Sequence, residues 1–324
     1  MSKKDIEKSE KKKSKKVNVG LILVILLVLV GVVGGVLLFA SKPDKKEVEN
    51  KPKPIQKVEE KKLQIIDEDS TSRPIAVMIN NHYEARPYQS GLQDAYLVYE
   101  IIVEGGITRY MAVFKDKDTE RIGSVRSARH DYLDYVWEND AVYVHWGWSP
   151  QAESQINQYK VNNLNGITYE GVYFFRDNSL KVDYEHRGFT SMELIKKGIA
   201  KRGYSDQSTK DTLLNYSVDN IDLSKLEESE AADEVIIPYS NSITTSYKYD
   251  AKNKVYLRYV NNKEHTDYVT KEQYTAKNII TYKVSNQTIK GDDKDRQELD
   301  TVGSGSGYYI SNGYAVPIKS ANYG

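Results

Sequence analysis

Residues 95–150 read AYLVYEIIVEGGITRYMAVFKDKDTERIGSVRSARHDYLDYVWENDAVYVHWGWSP, and the fold is decided in this stretch. Residues 95–103 are apolar and aromatic at every position but Glu100, the pattern of a strand covered on both faces. Glu104-Gly105-Gly106 follows, where glycine accepts positive φ at no steric cost, and residues 108–115 resume a β-prone pattern. Together they read as a hairpin. Alternation along the second arm puts Tyr110, Ala112 and Phe114 on one face and Arg109, Met111 and Val113 on the other.

Beyond Phe114 the chain turns polar and delivers Arg121, Arg126 and Arg129 around SVRSAR. Ser127 is expected to cap a helix running through Glu138, with Leu133, Val136 and Trp137 on its apolar side. Three arginines beside a helix N-terminus suit phosphate or carboxylate, because unpaired backbone N–H groups and forked guanidinium donors converge there. The competing reading pairs them with Glu100, Glu104, Glu120 or Asp131 and leaves them a purely structural role. Residues 141–146 form the next strand, with His145 on the face of Tyr143, and Ser149-Pro150 is an N-cap and N1 pair for a helix to Tyr159. Of Trp146 and Trp148, one would pack in the core and one line the surface. As a pair they would instead be a platform for stacking a sugar or a partner.

Upstream, residues 75–79 (IAVMI) are a short buried strand ending in Asn80-Asn81-His82, a position where loop side chains carry function. Downstream, residues 171–175 read as a strand, and Thr190 with Glu193 as a capping box for a helix closing at Arg202-Gly203. Alternating strands and helices predict an α+β, or α/β, first domain with a mixed sheet over residues 71–205. Residues 206–234 are polar and acidic, an interdomain linker. From 235 to 324 the pattern is β-rich, and Asn312-Gly313 between YYIS and YAVPI is its strongest hairpin signal.

The N-terminus is of another kind. Residues 1–16 are lysine-rich, and residues 17–40 carry no charge at all, long enough for one membrane-spanning helix, which needs about 20 residues. The lysines place a 1–16 tail in the cytoplasm and everything after residue 40 outside, so the run reads as an uncleaved signal anchor in the cytoplasmic membrane. Residues 41–70, rich in Lys, Glu and Pro, are a disordered linker. Lys+Arg and Asp+Glu number 46 each, so no net field attracts nucleic acid. With no cysteine, disulfides, thiolate metal sites and cysteine nucleophiles are excluded.

The motifs RPIAVMINN (73–81), VYEIIVEGGITRYMAVF (98–114), IGSVRSAR (122–129) and AVYVHWGWSP (141–150) resemble the YerB family of bacterial, mainly Gram-positive, envelope lipoproteins. YKYDAKNKVYLRYVNNKEHTD (247–267) and TAKNII (275–280) extend the resemblance into the second part. It implies two domains and an extracytoplasmic location, and no reaction. Two departures stand out. The lipobox cysteine of the family is missing, so the apolar run replaces a lipid as anchor. A Pro-His-Asn segment before Tyr-Thr survives here only as His186 and Thr190. The second domain is expected to be truncated, since family members continue through more strands.

These observations leave a binding protein and an enzyme to compare. As an envelope binding or interaction module, the chain would use Arg121, Arg126, Arg129, Trp146, Trp148, Asn80 and His82 to hold an anionic glycan, a cell-wall polymer or a partner protein. As an envelope hydrolase, it would use Glu100, Glu104 and His145 for acid–base or metal chemistry. No cofactor is expected. No histidine pair has HExxH spacing, so no metal is assigned, His145 and His186 being the candidates for one. No GxSxG is present, and GSGSG at 303–307 lacks the lysine of a phosphate loop.

Overall fold

Why one sheet dominates the first part follows from its central strand. The six residues of β1 (Ile75–Asn80) are all buried, so each needs a neighbour on both faces and both edges. β3 (Thr108–Phe114) runs antiparallel on one side, from Ile75↔Phe114 to Asn80↔Arg109, and β5 (Val142–His145) runs parallel on the other. β2 (Leu97–Ile102) completes the hairpin with β3, and β6 (Asn163–Asn165) lies parallel to β5, giving the order β2-β3-β1-β5-β6. The structure is a computed structural model and describes residues 63–322.

Alternation along β1 and β3 feeds two separate cores. Val77, Ile79, Tyr110, Ala112 and Phe114 pack with Met192, Ile195 and Ile199 of a helix at Met192–Arg202. Ala76, Met78, Met111 and Val113 pack on the opposite face with helix α1 (Leu133–Glu138) and helix α2 (Pro150–Gln158). Two further helices follow: the short α3 (Gly166–Tyr169) and α4, the Met192–Arg202 helix already named. The mixed sheet is therefore covered on both faces, as the sequence predicts. The faces of β3 divide as the alternation requires, and Gly105 and Gly106 turn the hairpin at φ 65° and 71°. β2, expected to be covered on both faces, is only half-buried, because it is the sheet's edge.

Local corrections have local causes. Residues 171–173 are turns rather than strand, Phe174 makes an isolated bridge to Glu170, and the chain extends only at β7 (Phe175–Arg176). β7 joins β8 (Gly188–Thr190) and β4 (Ile122–Gly123) in a small three-stranded sheet. The cap of α4 is Ser191, whose hydroxyl accepts from Leu194 N at 3.2 Å, and not Thr190. Gly203 closes that helix at φ 67°. Ser149 caps α2 as its sequence requires.

The second part is almost entirely β. β9 (Glu230–Ala231) lies inside the polar segment 206–234, which also holds one 3-10 turn at Leu223–Lys225. β10 (Glu234–Pro238), β11 (Thr244–Asp250), β12 (Val255–Val260) and β13 (Lys263–Glu264) form one sheet, with β14 (Thr275–Ala276) also on β12. β15 (Asn278–Tyr282), β16 (Asn286–Thr288), β17 (Gln297–Leu299), β18 (Gly303–Ser311) and β19 (Tyr314–Asn322) build the rest, in the order β15-β18-β19-β9 with a separate β16-β17 pair. β18 and β19 meet at Asn312-Gly313, both with positive φ, the expected tight turn. Among the described residues no helix is long and apolar enough to cross a membrane; residues 17–40 lie outside them.

Trp146 is wedged where three segments converge. A Cβ on Gly166 would lie 2.4 Å from its Cδ2, and one on Gly188 would lie 2.6 Å from its Cε3. Gly166→Ala and Gly188→Ala are each expected to lower stability by about 1–3 kcal/mol through overpacking. Urea unfolding should show a lower midpoint at unchanged slope.

Candidate functional site

Three parallel strands, β1, β5 and β6, end on the same side of the sheet, and the carboxyl ends of parallel strands are where such sheets bind ligands. Pairing of β1 with β5 covers only Ile75↔Val142 to Val77↔Val144. Beyond that the strands part, and residues 124–129 occupy the gap. Ser124 O accepts from Asn80 N (2.9 Å), Arg126 N donates to Met78 O (2.9 Å), and Arg126 O accepts from Trp146 N (2.9 Å). Ala128 N then donates to Gly147 O (2.9 Å).

The expected helix is realised only as α1, which ends at Glu138 as expected, and it does not begin at Ser127. The Ser127 hydroxyl donates to Trp146 O at 3.2 Å, and the chain coils only at a 3-10 turn, His130–Tyr132, before α1. Backbone partners offered by two splayed strands outcompete a helix start. Without a helix start there the three arginines do not converge. Arg121 reaches Asp177 (2.9 Å) and lies 3.7 Å over the Phe189 ring. Arg126 reaches Glu185 (2.8 Å), and Arg129 grips Glu104 with Nε to Oε2 at 2.9 Å and Nη2 to Oε1 at 2.6 Å.

Glu100, Glu104 and His145 are likewise apart, each taken up by its own partners. Glu104 also accepts from the buried Arg109 at 2.9 Å. Burial alone would raise its pKa, but the charge of Arg109 and the hydrogen bonds and charge of Arg129 outweigh that and hold it well below the usual carboxylate range. Burial pushes Arg129 down to about 10. Glu100 takes Thr108 Oγ1 (2.7 Å) and Thr245 Oγ1 (3.0 Å) on Oε1, and Arg258 Nη2 (2.8 Å) on Oε2. His145 is fully buried, its Nδ1 2.8 Å from Gly147 O and Nε2 3.2 Å from Asn163 Oδ1, and burial pushes it down to about 4. Trp146 is buried with its face covered by the Arg176 guanidinium at 4.3 Å, and Trp148 is half-buried with its ring 5.6 Å from that of His145.

What the structure does bring together is Asn80, His82, Glu84 and His186. The rings of His82 and His186 stack at 4.9 Å and 16°. His186 Nε2 faces Glu84 Oε2 at 3.4 Å, and His82 Nδ1 lies 3.9 Å from the same oxygen. Asn80 Oδ1 accepts from His82 N (3.0 Å) while its Nδ2 is 2.8 Å from His186 Nδ1. Burial, then Arg126 and His82, lower the His186 pKa. The sequence pointed to Asn80, His82 and His186 separately. Glu84 had no signal beyond lying two residues after His82 in a polar loop.

The family model described as "Protein of unknown function (DUF3048) N-terminal domain" matches residues 63–205, and that of its C-terminal domain matches residues 235–322. A protein of Bacillus subtilis (strain 168) named "Putative lipoprotein YerB" is 32% identical over 266 residues, 78% of this chain and 77% of that protein. The crystal structure of the YerB protein from Bacillus subtilis superposes with a TM-score of 0.67 at 31% identity, covering 77% of this chain and 81% of that one.

The Glu104 cluster has a pH signature. A carboxyl held below its unfolded value of about 4.3 contributes stability that is fully present above that pH and is lost as pH falls toward the folded value. Glu104→Gln removes this dependence. Denaturation between about pH 5 and 2 should show a steeper loss in the parent than in the variant.

Proposed function

The chain belongs to the DUF3048 family, and from that premise we propose that it is a membrane-tethered, extracytoplasmic interaction protein of the bacterial cell envelope that performs no turnover. The observation that carries this reading is the fate of the acid–base candidates: Glu100, Glu104 and His145 are each bound into the interior by groups of the chain itself. Side chains held this way reach no common substrate atom, which acid–base catalysis requires.

The same reasoning selects the partner. An anionic glycan or wall polymer needs unpaired cations, and Arg121, Arg126 and Arg129 already hold Asp177, Glu185 and Glu104. A protein partner needs exposed apolar groups instead. Tyr83, Ile167, Val172 and Tyr184 are each more than half exposed, and Tyr184 hydrogen-bonds Glu170, which lies between Ile167 and Val172 in sequence. All four belong to segments flanking the carboxyl ends of β1 and β6. The partner we infer is another envelope protein, and nucleic acid plays no part.

The tether is residues 17–40, with residues 1–16 in the cytoplasm and the segment after residue 40 leading to the folded part outside, which takes in Ile66 and Ser70 of the expected linker. The Bacillus relative is named as a lipoprotein. This chain has no cysteine to carry a lipid, so the uncharged run takes that place.

Protease added to intact protoplasts should degrade residues 41–324 and spare the anchor. A photo-reactive residue at Ile167 or Tyr184 should give a discrete adduct that a second protease removes and a wall-degrading muramidase leaves intact. Protection of the folded part from protease overturns the topology, and an adduct that only muramidase releases overturns the protein partner in favour of wall polymer.

A further inference from the structure

His82, Glu84 and His186 present two imidazole nitrogens and one carboxylate oxygen within 4.8 Å of one another, at the carboxyl end of β1. The individual separations are informative. In a tetrahedral zinc site with bonds of about 2.0–2.2 Å, neighbouring donor atoms lie about 3.3–3.5 Å apart. His186 Nε2 to Glu84 Oε2 is 3.4 Å and His82 Nδ1 to Glu84 Oε2 is 3.9 Å. The first spacing matches neighbouring donors of such a site, and the second exceeds it by a few tenths of an ångström while being too long for a hydrogen bond.

Independently, His82 Nδ1 is a buried atom with no hydrogen-bond partner, an unusual state for a polar atom away from water. It lies 3.9 Å from the Glu84 oxygen that also faces His186 Nε2. The His186 side chain is 3% exposed and fixed by Asn80, whereas those of His82 and Glu84 are 30% and 35% exposed and can close the remaining distance. Their solvent side leaves one coordination position open. Two imidazoles and a carboxylate suit zinc or cobalt(II) better than the oxygen-seeking calcium or magnesium.

One feature of the cluster opposes metal, and it makes the proposal sharp. Asn80 Oδ1 faces a donor, His82 N, so its amide nitrogen must face His186 Nδ1, which therefore carries a lone pair. The proton of neutral His186 then sits on Nε2, aimed at Glu84, on the atom a metal would use. Metal ligands of this type donate their other ring N–H to an acceptor. Binding at Nε2 requires the proton to leave it and be replaced, through solvent, by one on Nδ1, and requires the Asn80 amide to turn over to accept that proton.

We propose that His82, Glu84 and His186 form a divalent-metal site of the zinc type, in which Asn80 sets the affinity by choosing the tautomer of His186. The proposal does not depend on the partner or topology argued above.

The test titrates the purified full-length protein with cobalt(II), reading ligand-field absorption, followed by zinc competition. One equivalent should bind, and Glu84→Gln, His82→Gln and His186→Gln should each weaken binding at least tenfold at unchanged circular dichroism. Asn80→Asp offers acceptors to both His82 N–H and His186 Nδ1–H, and should tighten binding by about ten- to a hundredfold. The exposed Glu84 variant keeps the test decisive should a change at buried Asn80 impair folding. Absence of a saturable equivalent, or binding indifferent to Glu84→Gln and His186→Gln, overturns the site. A folded Asn80→Asp protein with unchanged or weaker affinity overturns the tautomer control.

Discussion

Glu100 and Arg258 face each other at 2.8 Å with side chains only 8% and 12% exposed, and the placement of the second part against the first depends on that pair. Taking both charges out of water costs several kcal/mol per ion unless every lone pair and N–H is satisfied. Here the requirement is met from both sides. Thr108 of β3 and Thr245 of β11 donate to the carboxylate, and Tyr110 and Tyr247 offer their hydroxyl oxygens to the guanidinium. Tyr239 adds a bond to the Glu100 carbonyl at 3.1 Å. An apolar contact could slide, whereas this arrangement is satisfied in one relative orientation only. Residues 61–324 accordingly form one compact unit.

Zero net charge, read from sequence, says nothing of this, because the charges are spent in pairs rather than spread over a surface. Arg129 and Arg109 share Glu104, Arg121 takes Asp177, Arg126 takes Glu185, and Arg176 is held by Glu170. The arginine-rich loop looked like an anion site because its partners lie elsewhere in the chain. Glu104 was among the partners foreseen in the sequence; Asp177 and Glu185 were not, being brought there by the β4-β8-β7 sheet.

What was legible follows the same division between local and distant causes. The β2-β3 hairpin, the buried β1, the Ser149 cap and the Asn312-Gly313 turn rest on neighbouring residues, and each was readable. SVRSAR was misread as a helix start because its determinant is the gap between β1 and β5, which no local pattern announces. The candidate site was hidden for the same reason. Asn80 and His186 touch at 2.8 Å across 106 residues of sequence, and HExxH-type spacing is the mark of ligands that share one helix, not of ligands gathered by a sheet.

The ion pair and the histidine cluster are also linked by a chain of polar contacts with a consistent direction. Arg258 Nε donates to His265 Nδ1 at 3.0 Å, which leaves the His265 proton on Nε2, facing Gln89 Oε1. Gln89 Nε2 donates to the Asn80 carbonyl, and Asn80 Nδ2 in turn faces His186 Nδ1, whose Nε2–H faces Glu84. Each donor points away from the Arg258 cation and toward the Glu84 anion, but the run is interrupted at Asn80, where Gln89 meets the backbone carbonyl and His186 the side-chain amide. Gln89 holds the backbone carbonyl of Asn80, and the orientation of the side-chain amide is set by His82 N, which donates to Oδ1. The cluster thus favours a proton on His186 Nε2 for a reason that lies in the loop after β1, the His82 N–H that turns the Asn80 amide. A cation held at Glu84 would need the His186 Nε2 that this arrangement protonates, so metal binding and the Asn80 orientation set by His82 N are opposed.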